Sequence, residues 1–277
     1  MTIPTTTLPD GTPMPVFGLG TWMMGERSDR LRQEVDTIRA GIDQGITLID
    51  TAEMYGDGGS ERMAGETIAG KRDGLFLVSK VLPHNASREG TIRACERSLK
   101  NLGTDRLDLY LLHWRGRYPL AETVEAFETL KAQGKIVRWG VSNFDVEDMD
   151  ELNTISDQCQ ANQVLYNCTR RGIEFDLLPE AQDKGMPIMA YSPIEQGRLA
   201  GNKAIAEIAR RHDASPAQIA LAFVLRHKGV IAIPKTSRPD RVAENLASLK
   251  IELTAKDLAD IDQAFPPPRR KIDLEMI

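Results

Sequence analysis

Four side chains of this 277-residue chain have the types needed to protonate a carbonyl oxygen. Asp50, Lys80 and His113 each follow a short apolar run, and Tyr55 comes five residues after Asp50. A phenol ordinarily titrates near ~10. A neighbouring ammonium such as Lys80 favours the phenolate and so makes the phenol a better proton donor. A buried lysine without a partner is costly, and Asp50 can supply that partner. His113, one strand further on, is placed to hydrogen-bond a carbonyl oxygen from the other side. A donor, a charge that tunes it, a group that holds the charge and a polar orienting group make a general-acid site for carbonyl reduction. No side chain delivers hydride, so the same reading implies a nicotinamide cofactor.

Such residues are far apart in sequence and need elements that gather them. Candidate strands are Val16–Leu19, Ile46–Ile49, Leu75–Val78, Leu107–Leu112, Ile136–Val141, Ala161–Leu165, Pro187–Ala190 and Val230–Ile233. They are short and mostly continuously apolar, as parallel strands covered on both faces are. Helical patterns lie between them at Arg30–Gln44, Glu89–Leu102, Glu122–Ala132, Pro216–Arg226, Asp240–Leu249 and Ala255–Ala264. Ser215 stands as N-cap before Pro216. Eight strands at roughly thirty-residue intervals, about one βαβ unit each, predict a (β/α)8 TIM barrel. A single barrel domain over 1–277 is expected, with a short N-terminal β-hairpin and extra helices near the C-terminus. The alternative, an open doubly wound sheet, usually carries G-x-G-x-x-G after its first strand. Here Gly18-Leu19-Gly20 starts that pattern, but its third glycine is missing.

Seven strand ends are polar: Asp50, Lys80, His113, Ser142-Asn143, Gln163, Tyr191-Ser192 and Lys235. A barrel brings its C-terminal strand ends to one face, where active sites are built. Each residue alone has a plain reading: Asp50 as a cap, Lys80 as a solvated strand end, His113 as a structural histidine, Tyr55 as packing. Those readings do not account for the set in register. Trp139 reads as core, and Met23 and Met24 as pocket lining or filler. Asp57/Glu61 and Glu147/Asp148 read as solvated faces, and the glycines around Gly58 as a turn in a mobile loop.

Net charge is -5, hydrophobic residues make up 41% and charged residues 27%. Charges of both signs are interspersed, which leaves no basic footprint for nucleic acid or a membrane surface. Three cysteines, Cys95, Cys159 and Cys168, form no C-x-x-C pair, so neither a disulfide framework nor a zinc site is expected. A reducing, cytoplasmic setting fits. No metal, nucleic-acid or membrane partner is expected, only a small carbonyl substrate, and the chain is read as a monomer.

The string Leu48-Ile49-Asp50-Thr51-Ala52-Glu53-Met54-Tyr55-Gly56 resembles the signature of the aldo-keto reductases. So do Val78-Ser79-Lys80, Tyr110-Leu111-Leu112-His113-Trp114, Gly140-Val141-Ser142-Asn143-Phe144, Ala190-Tyr191-Ser192-Pro193 and Ile233-Pro234-Lys235-Thr236. The matches keep the family's order from about Gly18 to Asn245, and the chain looks most like the compact bacterial members. The resemblance implies that Tyr55 donates the proton, Lys80 lowers its pKa, Asp50 holds Lys80 and His113 orients the carbonyl. It implies a nicotinamide stacked on Tyr191, with Ser142, Asn143 and Gln163 on its carboxamide and Ser192 and Pro193 beside the cofactor. Gly20, Thr21 and Trp22 would line the cofactor and substrate side, and Trp114 a further apolar wall. Lys235, Thr236 and Arg241 match positions that bind the 2′-phosphate of NADPH, and Glu244 and Asn245 positions at the adenine. Two cations and a hydroxyl suit a phosphate better than a ribose hydroxyl, so NADPH is expected over NADH. Arg238 adds a candidate third cation.

Thr236 replaces the serine of many members and keeps the hydroxyl. The segment Trp114–Leu120 and the tail Phe265–Ile277 are short, which predicts an open, shallow pocket for small aldehydes, ketoaldehydes or ketones. Two other functions compete: an NADPH-binding regulatory or redox-sensing subunit, and a Schiff-base aldolase with Lys80 as nucleophile. The full set of four disfavours the first, and pairing of Lys80 with Asp50 disfavours the second.

Overall fold

Each short apolar run becomes a strand because both of its faces find apolar cover. The computed structural model describes residues 2–277. An antiparallel hairpin, β1 (Thr5–Thr7) with β2 (Pro13–Pro15), comes first. Among the described residues, eight parallel strands follow: β3 (Gly18–Gly20), β4 (Leu48–Asp50), β5 (Phe76–Val81), β6 (Leu109–Leu112), β7 (Trp139–Ser142), β8 (Asn162–Leu165), β9 (Ile188–Tyr191) and β10 (Val230–Ala232). They pair in sequence order, and a parallel bridge between Phe17 and Ala232 joins the last to the first. Ala232 N–H donates to the Val16 carbonyl at 2.9 Å and Gly20 N–H to the Pro234 carbonyl at 3.0 Å, which closes the cylinder. All eight predicted strands overlap the observed ones.

Strand side chains alternate in direction. Leu48, Val78, Leu109, Leu111, Ala161, Met189, Ile231 and Ile233 point inward and form one buried cluster. Leu8 and Met14 of the hairpin join that cluster, so the hairpin plugs the N-terminal end of the barrel. Outward residues such as Ile49, Leu77, Val141 and Ala190 pack against the helices in a second cluster. The period of two carries a consequence for the other end. Asp50, Lys80, His113, Gln163 and Tyr191 each lie two residues beyond an inward apolar residue. They therefore face the barrel axis at its C-terminal mouth.

The six predicted helices form with ends within a few residues of expectation. Ser215 and Thr254 start theirs with capping boxes, each side chain accepting from the N–H three residues on. Four further helices, Gly59–Ile68, Val146–Ile155, Leu177–Asp183 and Lys203–Arg211, stand where loops or no element were read. Of the acids read as solvated faces, Asp57 and Glu147 are exposed, while Glu61 and Asp148 are tied into the fold. Glu61 is not a solvated face: it is fully buried and accepts from the Ser79 hydroxyl at 2.6 Å and Asn101 at 2.9 Å. Asp148 closes a capping box with Asp145. Trp139 is core as read, stacked on Phe127 with ring centroids 5.5 Å apart.

Candidate active site

The loop after β4 places Tyr55. Thr21 and Ser60 bond to each other beneath it, with 2.7 Å between their hydroxyls, and Thr51 donates to Ser60 at 3.2 Å. Glu53 accepts from Leu82 N–H at 2.7 Å and from Asn85 at 3.0 Å, which ties the loop to the end of β5. Behind it the backbones of Gly25 and Gly59 touch: a Cβ on Gly25 would lie 2.3 Å from the Gly59 carbonyl oxygen. Residues 53–58 form a turn, as read, with Gly56 and Gly58 at positive φ, and the adjoining Gly59 serves close packing.

At the mouth, Lys80 Nζ donates to Asp50 Oδ1 at 2.7 Å, to the Thr51 carbonyl at 2.8 Å and to the Tyr55 hydroxyl oxygen at 3.3 Å. Those three acceptors use the three donors of an ammonium. Gln163 Nε2 donates to Asp50 Oδ2 at 2.8 Å, so the second carboxylate oxygen is also held. Lys80 is completely buried. Burial disfavours its charge, but the Asp50 carboxylate and Tyr55 outweigh this and raise its pKa above the ordinary lysine value. Lys80 therefore stays an ammonium, the opposite of what a Schiff-base nucleophile requires.

Burial pushes the Tyr55 phenol above its ordinary pKa, while the Lys80 charge pulls it back. The sequence reading had the ammonium lower this pKa outright; in the folded protein it offsets part of the desolvation. The phenol is thereby held protonated beside a fixed positive charge. The His113 ring lies edge-on to Tyr55 with centroids 5.8 Å apart. Burial, and then the Lys80 charge, hold His113 well below the usual histidine range, so it is neutral near pH 7. A neutral imidazole keeps one N–H to offer a carbonyl oxygen.

These groups open onto a cleft of about 850 Å³. Gly20, Trp22, Asp50, Tyr55, His113, Trp114, Asn143, Gln163, Tyr191, Ser192, Pro193, Lys235 and Thr236 all line it. Lys80 lies just behind. Thr21, Ser142, Arg241, Glu244 and Asn245 do not line it. Thr21 is buried and donates to the Asp50 carbonyl at 3.0 Å, and Ser142 donates to the Gln163 carbonyl at 2.8 Å. Arg241 pairs with Glu244 on the helix Pro239–Ala247, and Asn245 is buried there. Arg30, Met54, Ile194, Gln196, Met276 and Ile277 line the cleft and were not foreseen. For Met276 and Ile277 a signal existed: they are an apolar pair after the charged stretch Arg269 to Glu275. The tail judged too short to wall the site reaches it.

The cleft suits a long anionic cofactor. Lys235 is half-buried, with burial lowering its pKa, and among the described residues it makes no ion pair. Arg238 and Thr236 stand beside it on the wall. Gly20 lets the chain pass against the Ile233 carbonyl, 2.8 Å from where a Cβ would sit. Asn143 and Ser192, both on the wall, hold left-handed backbone at φ 58° and 51°. Strain of that kind concentrates where ligands are clamped.

A model of the aldo/keto reductase family matches residues 16–265. The chain belongs to the aldo/keto reductase family. Among its relatives, methylglyoxal reductase YeaE of Escherichia coli is 52% identical over 95% of each chain. Glyoxal reductase of Bacillus subtilis is 34% identical over 93% of this chain and 91% of that one. Among solved structures, an aldo-keto reductase from Klebsiella pneumoniae in complex with NADPH is 50% identical, covers both chains fully and superposes with a TM-score of 0.96. Aldo/keto reductase membership accounts for the barrel and for the site's position at the C-terminal mouth. No helix among the described residues is long and apolar enough to cross a membrane.

Proposed function

We propose that this aldo/keto reductase reduces small aldehydes and ketoaldehydes of the methylglyoxal class, with NADPH as cofactor and Tyr55 as proton donor. The observation that carries the reading is the Tyr55 hydroxyl 3.3 Å from an ammonium that is itself held by Asp50. Lys235, Thr236 and Arg238 would hold the phosphate end of the cofactor, with Arg241 close by on the next helix. Tyr191, Asn143 and Gln163 would face its nicotinamide end, and Ser192 and Pro193 the span between. Ser142 would act by holding Asn143, whose side chain donates to it at 3.1 Å. When bound, NADPH supplies hydride to the carbonyl carbon.

The chain's own residues then handle the oxygen. His113 donates a hydrogen bond to the carbonyl oxygen and polarises it. Tyr55 gives that oxygen its proton as negative charge develops, and Lys80 stabilises the phenolate left behind. Asp50 keeps Lys80 charged and in place. Trp22, Trp114 and Met54 line the cleft and would shield one side of the carbonyl from water. The relatives that act on methylglyoxal and glyoxal support a small dicarbonyl as substrate. NADPH consumption across a panel of small aldehydes, ketoaldehydes and bulky ketones tests this. Methylglyoxal should rank near the top, and NADPH should bind tighter than NADH when tryptophan quenching is followed. A bulky ketone that outruns every small aldehyde, or equal affinity for the two cofactors, contradicts the reading.

A further inference from the structure

Arg170 stands outside the catalytic group, yet it holds both walls of the cleft. It lies in the turn after β8, where Asn167 Oδ1 accepts from Thr169 N–H at 2.9 Å and Arg170 N–H at 3.1 Å. That turn aims the guanidinium between two carboxylates. Arg170 Nη1 donates to Glu275 Oε1 at 2.6 Å, and Nη2 to Glu195 Oε1 at 3.4 Å. Its Nε is buried with no partner, so the orientation of the fork is set by those two acids.

Glu195 anchors the first wall. Its carboxylate is buried and also accepts from Asn167 Nδ2 at 2.7 Å, while Asn167 donates to the Ser192 carbonyl at 3.0 Å. Above that anchor the backbone runs left-handed through Glu195, Gln196 and Gly197, at φ 46°, 55° and 81°. Two consecutive non-glycine residues there are strained, and the buried carboxylate is what pins them. The strained turn presents Ile194, Gln196 and Gly197 to the cleft, directly after Tyr191 and Ser192. Glu275 anchors the second wall. Upstream the tail is tied by Lys271 to Glu147 at 2.8 Å and by Ile272 against Gly172. Beyond Glu275 come Met276 and Ile277, which line the cleft together with Tyr191.

We propose that Arg170 is a positioning residue that couples the cofactor-side turn Ser192–Gly197 to the substrate-side wall Met276–Ile277. One guanidinium thereby holds both walls, so that its loss weakens cofactor and substrate binding together while loss of Glu275 alone loosens only the substrate wall. The proposal rests on the reductase reading above.

The test uses the full-length enzyme with methylglyoxal and NADPH. Glu275→Gln keeps the fold's buried anchor and frees only the tail. The KM for methylglyoxal should rise about fivefold, the most a half-exposed ion pair is worth, with kcat within about twofold and NADPH affinity unchanged. Arg170→Met should raise both the methylglyoxal KM and the NADPH Kd. The double variant should be no worse than Arg170→Met alone, because both changes cut the same tie, and Arg170→Lys should recover part of the loss. An unchanged KM in Glu275→Gln, or effects that multiply in the double variant, overturns the coupling. If the wild type itself turns over no methylglyoxal, the reductase reading fails instead; wild-type turnover with insensitive variants sinks only the tie. Glu275→Gln at wild-type Tm separates a placed wall from simple loss of fold.

Discussion

At the scale of single residues, the site is organised around one buried ammonium. Lys80 satisfies three acceptors and is opposed by one carboxylate, so removing it leaves Asp50 as an uncompensated buried charge. Lys80→Met should cost about 3–5 kcal/mol of stability, the range for breaking a buried pair, as read from urea unfolding. A variant as stable as the wild type would mean that the pair is solvated. The same geometry fixes the pH dependence. Tyr55 and Lys80 are both raised above their ordinary values, and His113 is lowered below its own. The Tyr55 phenol is therefore protonated and the Lys80 ammonium charged throughout the neutral range. kcat for reduction should be flat from about pH 7 to 9 and fall only above ~10, where tyrosine and lysine ordinarily titrate. An inflection near neutrality would show another group controlling the proton. The fold's dependence on Lys80 has the same sign: a raised folded pKa gives stability that is intact below the unfolded value and lost as pH rises through the folded one.

At the scale of elements, strands were readable because covered parallel strands are runs of apolar residues, and period two then placed Asp50, Lys80, His113, Gln163 and Tyr191 on the mouth. Helices with clear apolar spacing, such as Leu31–Asp43, were readable too. Gly59–Ile68 was missed because it opens on glycine and serine, and its buried Glu61 looked like a surface acid. Its start is dictated by a tertiary contact, the touch of Gly25 on Gly59, which no local pattern reports. Gly25→Ala should cost about 2–5 kcal/mol, from left-handed strain at φ 72° and a clash with backbone that cannot yield. Gly103→Ala, also left-handed but with nothing within 4 Å of the new Cβ, should cost only about 1–2 kcal/mol. Thermal unfolding of both variants checks the difference. Equal losses would show that the Gly25–Gly59 contact contributes nothing.

At the scale of the whole molecule, the barrel converts residues spread from Gly20 to Ile277 into one cleft. Family motifs in the sequence pointed to the residues of its rim and to Lys235 and Thr236, because those are strand-end positions fixed by the barrel itself. The tail was misjudged because length alone says nothing of direction: ion pairs from Glu147 and Arg170 steer it across the mouth. The turn at Glu195 was invisible because its strain is held by a carboxylate buried through contacts with Asn167 and Arg170. The proposed chemistry rests on one phenol at this mouth, Tyr55, as the proton donor. Tyr55→Phe removes only that hydroxyl, which no described residue but Lys80 bonds. Measured side by side with the wild type, this variant should bind NADPH with unchanged affinity while kcat for methylglyoxal falls by about 10²–10⁴, the usual worth of a positioned general acid. Turnover at the wild-type rate would contradict the assignment.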